Sequence, residues 1–137
     1  MIVVDTNVIA YFLIRGDYSD KAKELFKYDS DWIAPYLWRS EFRNVLILYF
    51  RKGFISLEEV IRINTLAENL IEDKEFVLNS EEILELALKS NCSAYDCEFV
   101  ALAKSTGLRL YTADNLILKE FPEYSLSLKD FNTKIII

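Results

Sequence analysis

Hydrophobic and polar positions along the chain switch repeatedly between two patterns. Short apolar runs without polar alternation occur at Ile2-Val3-Val4, Trp32-Ile33-Ala34, Phe76-Val77-Leu78 and Leu108 to Thr112. Such runs predict strands buried on both faces. Between them lie longer stretches with helical character: Val8 to Ile14, Ser19 to about Tyr28, Tyr36 to Lys52, Ser56 to about Glu72, Ser80 to Ser90, Ser93 to Ser105 and Asn115 to Phe121. Their ends carry local punctuation. Asp5-Thr6-Asn7 favours a helix start, Ser56 followed by Glu59 has the capping-box form, Gly53 and Gly107 follow helix ends, and Pro35 and Pro122 stop what precedes them. Ser125 to Leu128 fits a fifth, edge strand. Strands that alternate with helices and are apolar on both faces predict an α/β fold, a mainly parallel four- or five-stranded sheet covered on both sides by helices. With no repeat, linker or low-complexity segment, residues 1–137 read as one domain.

One helical stretch departs from the amphipathic pattern. Val45 to Phe50 is apolar all the way round, which predicts burial on every side, beneath the Leu57 to Ile71 helix or in an interface. It is too short to cross a membrane, and Met1 to Val4 is too short for a secretion signal, so a cytoplasmic protein is expected.

Composition narrows the chemistry. The chain has no histidine and two cysteines, Cys92 and Cys97. That excludes a zinc site of four Cys or His ligands, Ser-His-Asp and Cys-His catalysis, and RNA cleavage by paired histidines. The cysteines read as buried or half-buried thiols rather than a disulfide. Any catalysis therefore rests on carboxylates, hydroxyls, amides, Lys, Arg or a bound metal. The net charge of −6 disfavours a broad basic face for nucleic acid, although four acids gathered at one site would leave the rest near balance.

Four acids stand out by position. Asp5 directly follows the first strand and Asp114 the fourth, where open parallel sheets place their sites. Asp96 lies in the first turn of the helix leading into that fourth strand. Each also fits a structural role, Asp5 and Asp114 as helix caps and Asp96 as the acid of a Ser93-x-x-Asp96 capping box. Glu41 is different, because its helical neighbours Leu37, Asn44, Val45 and Leu48 form a mainly apolar face, while Arg39 and Arg43 point elsewhere. A buried carboxylate needs a cationic partner or a metal. Clustered carboxylates raise each other's pKa, and oxygen-only ligands favour Mg²⁺ or Mn²⁺. Such ions suit hydrolysis of a phosphodiester. Arg39 with Arg43, and Lys23 with Lys27, form basic pairs at helical spacing that read as solvated faces or phosphate contacts.

These residues resemble the PIN-domain ribonucleases. Val3-Val4-Asp5-Thr6-Asn7-Val8 is similar to that family's opening strand and turn, Glu41-Phe42-Arg43-Asn44 to its second acidic motif, Ser93-Ala94-Tyr95-Asp96 to its third and Leu110-Tyr111-Thr112-Ala113-Asp114 to its fourth. The compact form is most similar to VapC-like toxins of type II toxin–antitoxin modules. The resemblance implies a PIN-like three-layer α/β/α sandwich and hydrolysis of RNA by metal-activated water with Mg²⁺ or Mn²⁺, leaving a 5′-phosphate and a 3′-hydroxyl. It gives Asp5, Glu41, Asp96 and Asp114 the catalytic and metal-holding roles, with Thr6, Asn7, Asn44 and Thr112 in support. It implies single-stranded or structured RNA as substrate, a homodimer, and a small antitoxin partner whose C-terminal segment blocks the cleft. Position 115 is Asn, so the fourth motif offers one acid, and one or two ions remain open. Two rival readings stand beside this: a non-catalytic metal- or RNA-binding module, and a phosphatase with Asp5 as nucleophile. The second commonly pairs two aspartates two residues apart, and here Asn7 occupies the second place. Covalent labelling by a phosphoryl donor separates it.

Overall fold

The structure, a computed structural model, describes residues 1–133. Its elements run β1 (Ile2–Val4), α1 (Thr6–Leu13), α2 (Ser19–Tyr28), β2 (Trp32–Pro35), α3 (Trp38–Arg51), α4 (Leu57–Ile71), β3 (Glu75–Phe76), α5 (Ser80–Leu88), α6 (Ala94–Thr106), β4 (Leu110–Thr112), α7 (Asn115–Glu120) and β5 (Ser125–Ser127). The sheet is five-stranded, in the order β3-β2-β1-β4-β5, and every pairing is parallel. The architecture is the expected three-layer α/β/α sandwich. Helices α1, α3 and α4 pack on one another, with α1 against β4 and α4 against β2; α5 and α6 pack together, and α6 lies over β1, β2 and β4.

The order of strands fixes where a site can form. The chain builds outward from β1 to β2 and β3, then returns to place β4 on the other side of β1. Connections leaving β1 and leaving β4 diverge there, opening a crevice beyond the strands' carboxyl ends. The register holds that edge tightly: Val3 pairs with Leu110 and Val4 with Tyr111, and the Asp5 amide still donates to the Tyr111 carbonyl at 3.0 Å.

Burial separates centre from edge. Strands β1, β2 and β4 are buried at every position. The outer strands are not: β3 shrinks to Glu75–Phe76, half-buried and exposed, and Val77, expected within it, lies beyond it and is 85% exposed. An edge strand has one neighbour and a shallower cover, so its apolar run does not become buried ladder. Pro35, expected to stop β2, is its last residue, and the ladder continues when the Tyr36 amide donates to Phe76 at 3.0 Å.

The apolar run Val45 to Phe50 corrects the expectation of core burial beneath the Leu57 to Ile71 helix. Only Leu46 is fully buried; Val45 and Tyr49 are half-buried, while Ile47, Leu48 and Phe50 are exposed. Helix α3 lies on one surface of its layer with α1 and α4 beside it, so the far side of the helix faces out. The helix that is buried most of the way round is α6, where Phe99, Val100, Ala101, Leu102 and Ala103 are successive core residues. Among the described residues no helix is long and apolar enough to cross a membrane.

Candidate active site

Asp5 leaves β1 at the crevice and caps α1. One carboxylate oxygen accepts from the Thr6 amide at 2.8 Å; the other accepts from the Thr112 hydroxyl at 2.7 Å and the Asn7 amide at 3.4 Å. The cap is the first turn's need for an acceptor, and the Thr112 contact ties the end of β1 to the end of β4. Thr112 Oγ1 also accepts from the Asp114 amide at 2.9 Å. Asn7 completes the bracket by accepting from the Ala113 amide at 3.1 Å. Asp114 then caps α7, its Oδ1 accepting from the Leu116 amide at 2.8 Å and the Ile117 amide at 3.2 Å, while its second oxygen accepts from none of the described residues.

Glu41 reaches the same edge from the first turn of α3. Its Oε1 accepts from the Thr6 hydroxyl at 2.7 Å. Thr6 therefore stands between Asp5, whose carboxylate it caps through its amide, and Glu41, which it holds through its hydroxyl. Asp96 enters from the first turn of α6, where its amide donates to Ser93 Oγ at 3.0 Å. Asp5 and Asp114 are helix caps that stand at this edge, whereas at α6 the cap is Ser93 and Asp96 lies in the turn behind it. A helix start aimed at the crevice places the capping acid there.

The electrostatics tie all four acids together. Burial pushes the Asp5 carboxyl from its ordinary value of 3.8 up to about 7, against the lowering effect of Thr112, and the neighbouring Glu41 and Asp96 raise it further. Burial also raises Glu41, opposed by Thr6, with Asp96 and Glu98 adding repulsion. Asp96 is raised by burial and then by Asp114, against Ser93. Among the described residues none of the four closes an ion pair with Lys or Arg. The paired-cation reading of Glu41 thus finds no partner.

As the side chains stand, no three His, Cys, Asp or Glu among the described residues are drawn together closely enough to hold a metal ion. The donor set nevertheless suits a hard divalent cation. It is all oxygen, it carries uncompensated negative charge, and its hydrogen bonds come from neutral donors that leave lone pairs free. Drawing the acids inward is the expected response of repelling carboxylates to such an ion.

The supporting residues divide. Thr6, Asn7 and Thr112 bond directly to the acids, whereas Asn44 is exposed, and none of the bonds around the acids reaches it. Glu98 is an acid the motifs do not single out. It lies two residues beyond Asp96 on α6, half-buried, raised by burial and felt by Glu41. The signal for it, a polar residue on the otherwise apolar α6, is visible only once α6 is known to be buried. Arg39 serves elsewhere, gripping Glu75 and Glu68, so the pair Arg39 and Arg43 is not a free basic face. Cys92 and Cys97 are free, buried thiols, and burial pushes Cys92 up to about 11.

A family model described as PIN domain matches residues 2–123. The chain is 29% identical over 131 residues to Ribonuclease VapC3 of Pyrobaculum aerophilum, across 88% of this chain and 95% of that protein. Its fold is similar to that of PAE2754 from Pyrobaculum aerophilum, with a TM-score of 0.74 at 20% identity over 93% of this chain and 90% of that one. It is similar also to that of FitAcB from Neisseria gonorrhoeae, with a TM-score of 0.75 at 15% identity over 96% of this chain and 100% of that one.

Proposed function

Because this chain belongs to the PIN domain family, we propose that it is a cytoplasmic, Mg²⁺- or Mn²⁺-dependent endoribonuclease, the toxin of a toxin–antitoxin pair. The observation that carries this reading is the set of Asp5, Glu41, Asp96 and Asp114 near the carboxyl ends of β1 and β4, linked in turn by mutual repulsion and, among the described residues, closing no ion pair with a cation. The likeness to a named ribonuclease across nearly the whole chain supports it. So does the absence of histidine, which leaves carboxylate chemistry as the available route.

The four acids would hold the cation. When bound, a divalent ion supplies Lewis acidity toward a phosphate oxygen and lowers the pKa of water. The protein's own groups do the rest. Thr112 and the Thr6 amide fix the rotamer of Asp5, and the Thr6 hydroxyl fixes Glu41, so neither ligand spends order on binding. Asn7 locks the β4 turn to α1 and so sets the spacing of Asp5 and Asp114. With no histidine present, proton transfer at the scissile phosphate falls to these carboxylates. The single-stranded or structured RNA substrate, the homodimer and the small antitoxin belong to the same reading.

The test is cleavage of end-labelled single-stranded RNA by purified protein in Mg²⁺, Mn²⁺ or EDTA, with Asp96→Asn alongside. The expected result is metal-dependent cutting that leaves a 5′-phosphate and falls at least about a hundredfold in the variant. Equal cutting by the variant, or no cutting in either metal by folded protein, overturns the proposal.

A further inference from the structure

A sizeable cavity lies away from the acids. It lies between α1, the turn that follows it, the end of α3 and the start of α4, and encloses about 930 Å³, near the upper end of the roughly 300–1,000 Å³ of ligand sites. Its walls combine Tyr11, Tyr49 and Phe54 with Arg15, Lys23 and Arg62. A smaller cavity of about 210 Å³ shares Tyr11 and Tyr49 with it, adds Lys52, and ends at Asn7. Asn7 is the residue whose amide bonds Asp5. The two cavities thus adjoin at Tyr11 and Tyr49 as a groove whose smaller end borders Asn7, the neighbour of Asp5.

The composition of this groove is unusual for an acidic chain. Arg15, Lys23, Lys52 and Arg62 are exposed, and none closes an ion pair among the described residues. The acids on its walls are Asp17 and Glu59, and the Glu59 carboxylate already accepts from the Ser56 amide at 3.0 Å. Cations thus outnumber acids here in a protein of net charge −6. The rings are braced by one another: Tyr11 meets Tyr18 edge-on at 5.2 Å, and Tyr49 meets Phe54 edge-on at 6.0 Å. Phe54 is 69% exposed, so its ring stands open to solvent rather than in the core.

We propose that this groove is the track along which a single-stranded RNA substrate is held, with bases stacking on Tyr11, Tyr49 and Phe54 and phosphates over Lys52, Arg15 and Arg62. Stacking on aromatic faces beside a cationic wall is how unpaired strands are held without base-specific hydrogen bonds. A purely apolar occupant would leave the cations unmatched. The inference rests on the ribonuclease reading, because the smaller cavity borders Asn7, which bonds one of the acids that would cut.

The test is binding of a fluorescein-labelled ten-nucleotide RNA in EDTA, followed by anisotropy over a range of salt concentrations, for wild type, Phe54→Ala and Arg62→Ala. Cleavage by wild type in Mn²⁺ is recorded separately. Both substituted residues are exposed, so the fold survives their loss. Phe54→Ala is expected to weaken binding about tenfold, and Arg62→Ala to reduce the slope of log affinity against log salt by about 0.7. Photocrosslinks from 4-thiouridine RNA are expected on Tyr11, Tyr49 or Phe54. Unchanged affinity in both variants overturns the track, and if wild type still cuts RNA the ribonuclease reading survives that failure. Weakened binding in both variants without cleavage by wild type supports the track and removes the nuclease. A dimer that Phe54→Ala dissociates while RNA affinity stays unchanged assigns the groove to a second copy of the chain and overturns the proposal.

Discussion

Charge is gathered at two places in this protein and handled in opposite ways. At the β3 edge, Glu75 accepts from Arg39 Nε at 2.5 Å and Nη2 at 2.7 Å, and from Trp38 Nε1 at 2.8 Å, while Glu68 takes the remaining arm of the guanidinium at 2.8 Å. The bidentate arginine holds the Glu75 carboxyl below its ordinary range. At the crevice beyond β1 and β4, the acids receive only neutral donors, and Asp5 is pushed up to about 7. One cluster is complete within the fold. The other keeps repulsion that the fold alone does not relieve, which fits the cation-binding role proposed for it.

The comparison breaks first at Asp5. Asp5→Asn keeps the shape and the cap but removes the charge, so cleavage is expected to fall at least about a hundredfold. Its effect on stability has the opposite sign. Because the folded-state pKa is raised, the folded protein holds the Asp5 proton up to about pH 7 while the unfolded chain loses it near 4. The Asp5 contribution to stability is therefore full below about pH 4 and declines as pH rises toward about 7, by roughly 1.4 kcal/mol per pH unit at most. Melting curves in EDTA are expected to place Asp5→Asn above wild type at pH 8 and level with it at pH 4. Parallel curves would remove the claim of stored repulsion.

Glu75→Ala attacks the other cluster. It strands part of the Arg39 guanidinium and the Trp38 N–H, and a loss of about 2–4 kcal/mol is expected by denaturant unfolding. Its pH signature runs the other way. With a lowered folded pKa, the Glu75 contribution is present at neutral pH and lost as pH falls through the acidic range. RNA cleavage by the folded variant should persist.

Thr112→Val gives a smaller, sharper effect. It removes the hydroxyl that donates to Asp5 and accepts from the Asp114 amide. Calorimetric Mn²⁺ affinity is expected to drop about 10–100-fold, with a stability change of about 1–2 kcal/mol. Asn44→Ala should do least. The exposed amide bonds to none of the four acids, so stability should stay within about 0.5 kcal/mol, and cleavage should fall less than in Thr112→Val.

Where the sequence was legible, one physical cause produced one pattern. Buried parallel strands read as unbroken apolar runs, so β1, β2 and β4 appear almost at their true bounds. Asp5 and Asp114 were visible because strand ends and helix caps have fixed chemistry. Tertiary cover is a different matter. Val45 to Phe50 and Phe99 to Ala103 look alike as apolar helical runs, yet the first lies at the surface and the second at the centre. Which helix is covered depends on strand order, which no local pattern contains. The same limit hides Glu98, whose approach to Glu41 joins α6 to α3. It hides Arg39 too, whose partner Glu75 stands 36 residues away.

The most direct test is a calorimetric titration of Mn²⁺ into metal-free protein at pH 7, repeated in buffers of different ionisation enthalpy and with Asp96→Asn. Saturable binding with partial proton release is predicted for wild type, because with its carboxyl pushed up to about 7 Asp5 is still partly protonated at that pH, and much weaker binding is predicted for the variant. Absence of binding by wild type, or equal binding by both proteins, would contradict the assignment of these acids as a cation site.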